Sequence, residues 1–447
     1  MLRTHTHLAY GLVLPLALLT LGAGCSSSKS SKRSSTTTAA TTSNNTGTTN
    51  SSTTTPPTST TTGPTTTTTP PLVLGGTGVF TDGSASLPAS AEDDWAVASG
   101  DVNGDGAMDL LIAPYNGVPR LYLNQGGTLV AGTFPAVTLA ATDAVLIDMN
   151  NDGNLDAVIS ANYEPVRVFR GDGAGGFVLL GEWPTINNAL VYKIAVGDVD
   201  GDNDPDVFLA RAGQNTATLG ADLLLLNDGT GALVDAPATA LPALTEDSLG
   251  ATLFDLDNDG DLDIYLANFG IEDRVYLNDG AGTFVDATAV VLPAGVTTGG
   301  ATSVAAADVN GDGFVDLVVG NEGLSVGGNP PAGEANLLLL NDGAGHLLDG
   351  STLLPADAEP TFDVRFQDVD GDNYPDLFVA NLRAQQRLYL NSGTGVFTDA
   401  TSTNLPAVNV GGDSFSMTTG DFNGDRAVDV LFIRRNAAPW LFLNTPR

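Results

Sequence analysis

Asp255-Leu256-Asp257-Asn258-Asp259-Gly260-Asp261-Leu262-Asp263 is one of seven related nine-residue strings in this sequence. In every copy, positions 1, 3, 5 and 9 are Asp or Asn, position 4 is Gly or Asn, and positions 2 and 8 are apolar or Pro. Alternate oxygen-bearing side chains can converge inside a tight loop, and Gly or Asn supplies the left-handed backbone that tightens it. The other six strings begin at Asp101, Asp148, Asp198, Asp308, Asp368 and Asp421.

Each string leads into a short apolar run such as Asp316-Leu317-Val318-Val319, which is typical of a buried β-strand. An EF-hand would need Glu at position 12 and a flanking helix on each side. Position 12 is apolar in all seven copies, so an EF-hand is excluded; the residues are Ile112, Ile159, Leu209, Leu266, Val319, Val379 and Phe432. A calcium-binding β-helix is excluded as well, because its repeat is far shorter than the roughly 50 residues between these strings.

A second pattern lies between the strings: an apolar strand, Asn-Asp-Gly-x-Gly or a close variant, and another strand, as in Val275 to Phe284. This pattern is typical of a β-hairpin turn. Four strands in roughly 50 residues make one propeller blade, so the sequence predicts an all-β, seven-bladed β-propeller of four-stranded blades. The chain ends without a last hairpin, but Thr77 to Asp82 repeats Thr394 to Asp399 letter for letter. We therefore expect a strand near Val79 to complete the last blade beside Leu441 to Leu443.

Composition narrows the function further. The 447 residues include 52 Asp or Glu, 17 Lys or Arg, 3 His and 1 Cys, with a formal net charge of −35. One thiol gives neither a disulfide framework nor a thiolate zinc site. His5 and His7 lie in the leader, so His346 alone cannot supply a His-ligated zinc site, and a Ser-His-Asp triad is disfavoured. The charge repels phosphate backbones, which disfavours nucleic acid as a partner.

The N-terminal segment predicts export. Residues 1–24 carry Arg3, an apolar run and small residues, the layout of a secretory signal peptide. Leu21-Gly22-Ala23-Gly24-Cys25 resembles a bacterial lipobox, which implies that Cys25 is lipidated and that the mature chain is an outer-membrane or cell-surface lipoprotein; an uncleaved membrane anchor is the alternative. Residues 25–71 are then a disordered Ser/Thr/Pro-rich stalk, and residues 72–447 form the propeller.

The strings and the Leu-Tyr-Leu-Asn-Asp-Gly-x-Gly-x-Phe phrase resemble FG-GAP or VCBS repeats and are similar to the calcium-bearing blades of the integrin α-chain propeller. The resemblance implies up to seven Ca²⁺ ions, one per blade, each held by the side chains at positions 1, 3, 5 and 9 and by the backbone carbonyl at position 7. Asn203 and Asn373 stand at position 6 where Gly is usual, and Arg426 there makes the last loop the expected weak site.

In loop order, the implied ligand residues are Asp101, Asn103, Asp105, Ala107 and Asp109; Asp148, Asn150, Asp152, Asn154 and Asp156; Asp198, Asp200, Asp202, Asp204 and Asp206; Asp255, Asp257, Asp259, Asp261 and Asp263; Asp308, Asn310, Asp312, Phe314 and Asp316; Asp368, Asp370, Asp372, Tyr374 and Asp376; and Asp421, Asn423, Asp425, Ala427 and Asp429. Their side-chain positions hold 24 of the 44 Asp residues. Carboxylates this close repel one another without a cation, which predicts a structural role for the metal.

Propeller topology places these loops and the Asn-Asp-Gly hairpins on one face. The second-to-third-strand and blade-to-blade connections share the opposite face, and they vary in length, with expansions predicted at residues 211–221 and 321–336. This face also gathers aromatic and charged residues, so we expect it to be the recognition surface. The residues are Tyr115, Tyr163, Phe269, Arg383, Arg434, Arg435, Lys193, Asp143 and Asp363.

The leading interpretation is a non-enzymatic, calcium-stabilised recognition or adhesion module, monomeric, that binds an extracellular protein or glycan and touches membrane only through Cys25. The alternatives are a polysaccharide lyase or hydrolase on a propeller scaffold, or a structural envelope component. No carboxylate pair outside the loops stands out in the sequence. His346 occupies a hairpin position where a sister repeat has Thr283, so we expect a turn residue there, not a catalytic base.

Overall fold

The computed structural model describes residues 75–88, 92–183, 190–213, 221–296, 299–324, 333–407 and 413–447. In this part of the chain, 28 strands form seven four-stranded antiparallel sheets, which confirms the seven-bladed propeller. The predicted signal peptide, Cys25 and the stalk lie outside the described residues, as do most of the predicted expansions at 211–221 and 321–336. No helix in the described ranges has the length and apolarity needed to cross a membrane.

The strands follow one another from the innermost to the outermost position of each blade. Blade 1 has β2 (Asp94–Gly100), β3 (Asp109–Pro114), β4 (Arg120–Asn124) and β5 (Leu129–Ala131); blade 2 has β6 (Ala141–Ile147), β7 (Asp156–Ala161), β8 (Val166–Gly171) and β9 (Phe177–Trp183); blade 3 has β10 (Leu190–Gly197), β11 (Asp206–Ala212), β12 (Leu223–Asn227) and β13 (Leu233–Asp235). Blade 4 has β14 (Ser248–Phe254), β15 (Asp263–Asn268), β16 (Arg274–Asn278) and β17 (Phe284–Asp286); blade 5 has β18 (Ala301–Ala307), β19 (Asp316–Asn321), β20 (Leu337–Asn341) and β21 (Leu347–Asp349). Blade 6 has β22 (Thr361–Gln367), β23 (Asp376–Asn381), β24 (Arg387–Asn391) and β25 (Phe397–Asp399); blade 7 has β26 (Ser414–Gly420), β27 (Asp429–Arg434), β28 (Trp440–Pro446) and β1 (Gly76–Asp82). Two one-turn helices, α1 (Thr288–Val291) and α2 (Thr401–Asn404), follow the outer strands of blades 4 and 6.

The ring closes as the sequence predicts, with three strands from the C-terminal end and one from the N-terminal side. β1 pairs antiparallel with β28, with Phe80 opposite Asn444 and Thr81 opposite Leu443. The side chain of Asn444 adds a hydrogen bond, because its Oδ1 accepts the N–H of Gly78 at 3.1 Å. The predicted strand near Val79 is therefore the outer strand of blade 7.

The core lies between neighbouring blades. All six residues of each of the second strands β7, β15, β19 and β23 are buried, as expected of apolar runs covered on both faces. One apolar cluster joins Leu111 of blade 1 to Ile159 and Phe169 of blade 2, and clusters of the same kind join the other neighbouring blades. Each blade therefore buries its faces against the blades beside it.

A polar clamp also crosses most blade interfaces. The Asn that ends the third strand donates its side-chain N–H to the backbone carbonyl at position 2 of the preceding blade's loop, at 2.7 to 3.4 Å. These contacts are Asn124 to Phe422, Asn227 to Met149, Asn278 to Val199, Asn341 to Leu256, Asn391 to Val309 and Asn444 to Val369. Blade 2 has Gly171 at this place, and a Cβ there would lie 2.1 Å from the carbonyl oxygen of Leu155. The interface between blades 1 and 2 therefore lacks the Asn clamp.

Candidate metal centres and axial pocket

The seven loops share one tight backbone shape. Positions 4 and 6 have positive φ in the third loop, where Gly201 has φ 79° and Asn203 has φ 70°, and this confirms the left-handed role predicted for Gly and Asn. Arg426 adopts the same conformation with φ 70°. Its N–H donates to Asp421 Oδ2 at 2.8 Å, as the position-6 residue does in the other loops. The last loop therefore keeps the common shape, at the cost of a non-glycine residue in the left-handed region.

The loop carboxylates also fold the loop itself. The position-5 carboxylate accepts the N–H of the position-7 residue in all seven loops, at 2.9 to 3.1 Å. Where position 3 is Asn, its side-chain oxygen accepts the position-5 N–H, as Asn310 does from Asp312 at 2.9 Å. These bonds hold positions 1, 3, 5 and 7 around one centre.

The Asp at position 9 has a different setting, because it is buried beneath the loop. Asp206 is fully buried; its Oδ2 accepts the N–H of Val199 at 3.0 Å and its Oδ1 accepts the N–H of Asn227 at 2.8 Å. The same two bonds recur in all seven blades, with Gly171 in place of Asn in blade 2. Burial, followed by repulsion from the loop carboxylates, raises the pKa of Asp206 to about 7 against the lowering effect of the two hydrogen bonds. The position-9 Asp thus links strand, hairpin and loop.

Three loops bring carboxylates close enough to share an ion. Oxygen atoms within 4.8 Å of one another come from Asp198, Asp200 and Asp206 in the third loop, from Asp255, Asp257 and Asp259 in the fourth, and from Asp368, Asp370 and Asp376 in the sixth. These are the loops with Asp at all four side-chain positions. An all-oxygen donor set of carboxylates fits Ca²⁺, whose ligands are carboxylate and carbonyl oxygens. In the first, second, fifth and seventh loops, the amide at position 3 takes the place of the third carboxylate.

The opposite face is organised around the propeller axis. Each innermost strand has a register irregularity at the same place, six residues before the first Asp of its loop. The residues at these bulges line one pocket of about 30 Å³ together with their neighbours, and they differ in chemistry: Trp95, Thr142, Tyr192, Leu249, Thr302, Phe362 and Phe415. Sequence inspection missed this ring, although the constant offset of six residues could have revealed it.

Aromatic rings form one side of the pocket mouth. Phe415 stacks on Trp95 with ring centroids 4.8 Å apart, Tyr115 lies 4.6 Å from Trp95 on a tilted plane, and Phe362 meets Phe415 edge-on at 4.8 Å. The indole Nε1 of Trp95 is buried without a hydrogen-bond partner in the described part of the chain. Asn162 donates its side-chain N–H to the hydroxyl of Tyr115 at 2.6 Å, which ties blade 2 to this stack.

The pocket floor brings together three residues that the sequence placed only near strand entries. Lys193 Nζ lies 3.6 Å from Asp143 Oδ2, and Asp363 accepts the hydroxyl of Ser303 at 3.0 Å and the N–H of Met417 at 3.0 Å. Burial raises the pKa of Asp143 and Lys193 opposes the rise. Burial alone would lower the pKa of Lys193, but Asp143 and Asp363 outweigh it and the net direction is upward. Asp143 and Asp363 are a buried carboxylate pair outside the loops, which the sequence did not reveal.

The remaining predicted recognition residues lie at or just after the ends of second strands: Arg434 is the last residue of β27, and Tyr163, Phe269, Arg383 and Arg435 lie in second-to-third-strand connections. Tyr163 and Arg383 occupy the same turn position with φ 59° and 56°, where blades 4 and 5 have Gly270 and Gly323. The other three make local contacts: Phe269 N–H donates to Asp247, Arg434 lies 3.8 Å from the ring centroid of Trp440, and Arg435 Nε lies 3.7 Å from Asp93.

His346 sits in a hairpin, with Nδ1 3.2 Å from Asp342 Oδ2 in the same turn. That turn position is the one expected from the sequence.

Seven four-stranded blades, each with a nine-residue carboxylate loop between its first two strands, define a β-propeller built from acidic-loop repeats. The chain belongs to the family of FG-GAP-like repeats, whose model matches residues 101–159, 148–209, 198–266, 261–319 and 368–432. The search of curated proteins gave no match.

Solved structures with a similar fold include BBS1N in complex with ARL6DN, in a crystal soaked with mercury. It has 13% sequence identity and a TM-score of 0.51, and the match covers 83% of this chain and 97% of that chain. A second crystal of the same complex, soaked with lead, matches with 13% identity and a TM-score of 0.49, over 83% and 98% of the two chains. At this identity the likeness concerns the fold alone.

Proposed function

We propose that this chain is a non-enzymatic, calcium-stabilised recognition or adhesion module of the cell surface, with an extracellular protein or glycan as its partner. The observation that carries the calcium part is the convergence of three carboxylates within 4.8 Å in the third, fourth and sixth loops. Such carboxylates repel one another by about 1 kcal/mol per pair at 4 Å even in water. A divalent cation bound between them makes the net electrostatic energy of the loop favourable. Calcium would stabilise the blades and leave the opposite face free to bind.

Two features of the opposite face support a role in recognition. Tyr163 and Arg383 hold left-handed turn conformations that Gly adopts without strain, and such strain often marks functional positions. At the axis, Asp363 uses both carboxylate oxygens as acceptors within the fold, so it is poorly placed to transfer protons. A protein partner suits a propeller of this fold, since BBS1N was crystallised with ARL6DN.

The export part of the proposal rests on the sequence alone: cleavage after Gly24, lipidation of Cys25, a stalk to residue 71 and display of a monomer at the outer membrane or cell surface. The test is metabolic labelling of expressing bacteria with a clickable palmitate analogue, comparing the native chain with Cys25→Ser. We expect label and detergent-phase partitioning for the native chain and neither for the variant. Equal labelling of both chains would refute the lipoprotein assignment.

Calcium binding and recognition are tested together on the purified full chain. Isothermal titration with CaCl₂ is expected to show saturable binding to at least three sites. Asp257→Asn is expected to remove one of them. A screen of extracellular proteins and glycans in calcium and in chelator then searches for the partner, with chromatography of the bound glycans to detect turnover. Absence of calcium binding would overturn the calcium part of the proposal. Cleavage of a bound polysaccharide would overturn the non-enzymatic part.

A further inference from the structure

The axial pocket carries chemistry that the metal loops do not use. Its backbone frame is the same in every blade, one bulge per innermost strand, yet the side chains presented there include Trp95, Thr142, Tyr192 and Phe362. Bulges at matching places are built features of a sheet and re-aim side chains. A purely structural need would repeat the chemistry, as it does in the loops. A repeated backbone frame that carries unlike side chains indicates that the side chains are adapted to one particular ligand.

The floor of the pocket excludes charged neighbours. A cation would compete with Lys193, whose ammonium group already lies 3.6 Å from Asp143 and is stabilised by Asp363. An anion would meet Asp143 and Asp363 themselves, and it would also approach Asp247 and Glu322, which raise the pKa of the neighbouring Tyr192 after burial has done so. A neutral group fits best.

The pocket lining as a whole favours a group that both donates and accepts hydrogen bonds. Trp95 Nε1 is a buried donor without a partner in the described part of the chain, and the ammonium group of Lys193 has three donors. An acceptor lies beside them in the Asp143 carboxylate, whose side-chain contacts to Ile194 and Lys193 are both at Oδ2. A hydroxyl combines both roles. The cavity of about 30 Å³ has room for a group the size of one or two water molecules, so a hydroxyl or hydroxymethyl group can enter and a six-membered ring cannot.

The rim supplies a surface for the part of the neighbour that stays outside. Tyr192 and Phe362 lie on opposite sides of the mouth, in blades 3 and 6, and each is partly exposed. Trp95 packs against both Tyr115 and Phe415, whereas Phe362 makes an edge-on contact with Phe415, so Tyr192 and Phe362 are the rim rings less engaged in aromatic packing. Aromatic rings present flat apolar area at low entropic cost. The C–H face of a sugar ring matches them, while its hydroxyls match the floor.

We propose that the axial mouth is a saccharide-binding site that takes a neutral pyranose unit, with one hydroxyl or hydroxymethyl group in the pocket and the ring against Tyr192 and Phe362. The inference rests on the proposed recognition function and names its ligand class and surface. A protein partner at the same mouth is the competing outcome.

The experiment is saturation-transfer NMR on the purified full chain in calcium. The probes are methyl glycosides of glucose, galactose, mannose and N-acetylglucosamine, with methyl glucuronide and glucosamine as charged comparisons. We expect transfer to at least one neutral glycoside and a shift of the Trp95 indole N–H, one of three in the chain. Phe362→Leu and Tyr192→Leu keep the apolar volume and remove the flat ring, so affinity should fall about tenfold. Phe366→Leu, four residues further along the same strand β22 and packed on Phe397, is the matched control and should bind as the native chain does.

The wild-type indole shift needs no variant, so misfolding of a substituted chain leaves the test intact. Binding of no neutral glycoside, preference for a charged probe, or affinity unchanged by Phe362→Leu and Tyr192→Leu would each overturn the inference. Capture of a protein partner that depends on Tyr192 and Phe362, with no glycoside bound, would overturn the saccharide assignment and leave the proposed recognition function standing. A chain that binds no calcium would instead contradict the calcium part of the proposed function.

Discussion

On the loop face, the same nine positions carry the same chemistry in seven blades, whereas at the axial mouth the same bulge presents Trp in one blade, Thr in another and Tyr in a third. The loop therefore has the same structural role in every blade, which is to join the strands of the blade and to contact the neighbouring blade. The mouth, by contrast, presents five kinds of side chain at its seven equivalent positions. Repeated chemistry indicates a role in stability, and varied chemistry on a repeated frame indicates recognition.

Calcium removal is expected to have the largest effect on this comparison. At a calcium concentration 100-fold above the dissociation constant, each occupied site stabilises the fold by about 2.7 kcal/mol. Three occupied loops would then raise the melting temperature by roughly 10–20 °C. Differential scanning calorimetry of the full chain in calcium and after exhaustive dialysis measures the shift, with magnesium as the control cation. Equal melting temperatures would show that the loops are stable acidic turns.

The second prediction separates the buried and exposed carboxylates of one loop. Asp206→Ala leaves the N–H groups of Val199 and Asn227 without their acceptor, at about 1–3 kcal/mol each, whether calcium is present or absent. Asp200→Asn changes a partly exposed loop carboxylate and should lower stability only in calcium. Urea unfolding of both variants in calcium and in chelator gives the four values. Equal losses in chelator would contradict the distinction.

The sequence predicts most of the loop face and little of the mouth. Each string contains its own loop conformation and its strand, so the left-handed positions of Gly201 and Asn203 followed from the string, and the closing strand followed from the repeat of Thr77 to Asp82. The burial of Asp206 beneath its loop did not follow from the string, because it depends on contacts with the hairpin. The mouth depends on contacts across the ring: Trp95 meets Phe415, more than 300 residues away in the chain. No local pattern encodes that contact, and the bulges leave apolar periodicity almost unchanged.

A pH dependence provides the third prediction. In the calcium-free fold, burial raises the pKa of Asp206, Asp263, Asp376 and Asp429 to about 7, far above the 3.8 of an unperturbed Asp. Between these values the folded chain keeps protons that the unfolded chain has released, so raising the pH from about 4 to about 7 should destabilise the calcium-free fold. Bound calcium favours the ionised carboxylates and should abolish this trend. Melting temperatures across the range, with and without calcium, check it; a calcium-free fold that gains stability toward pH 7 would contradict it.

The smallest expected effect concerns the last loop, which has Arg at position 6 where the other loops have Gly or Asn. Arg426 has φ 70° where the first, second, fourth and fifth loops have Gly, so Arg426→Gly should relieve about 1 kcal/mol of backbone strain. The gain should be present in chelator as well, because the strain belongs to the backbone. Urea unfolding measures it, and Asn203→Gly, at a residue that tolerates this conformation, is the control with a smaller expected gain.

The closing strand has a mechanical consequence. β1 is the outer strand of blade 7 and comes first among the strands along the chain, so a pull on the N-terminal segment reaches this strand before any other. Resistance comes from the ladder to β28 and from two side-chain bonds at Gly78, one to Asn444 and one from Asn404. Under tension these bonds would break before the other blades are disturbed. Once β1 is pulled away, blade 7 loses its outer strand and the ring is no longer closed. If the N-terminal segment tethers the chain as proposed, the load that the propeller withstands depends on the seven residues of β1 and their contacts.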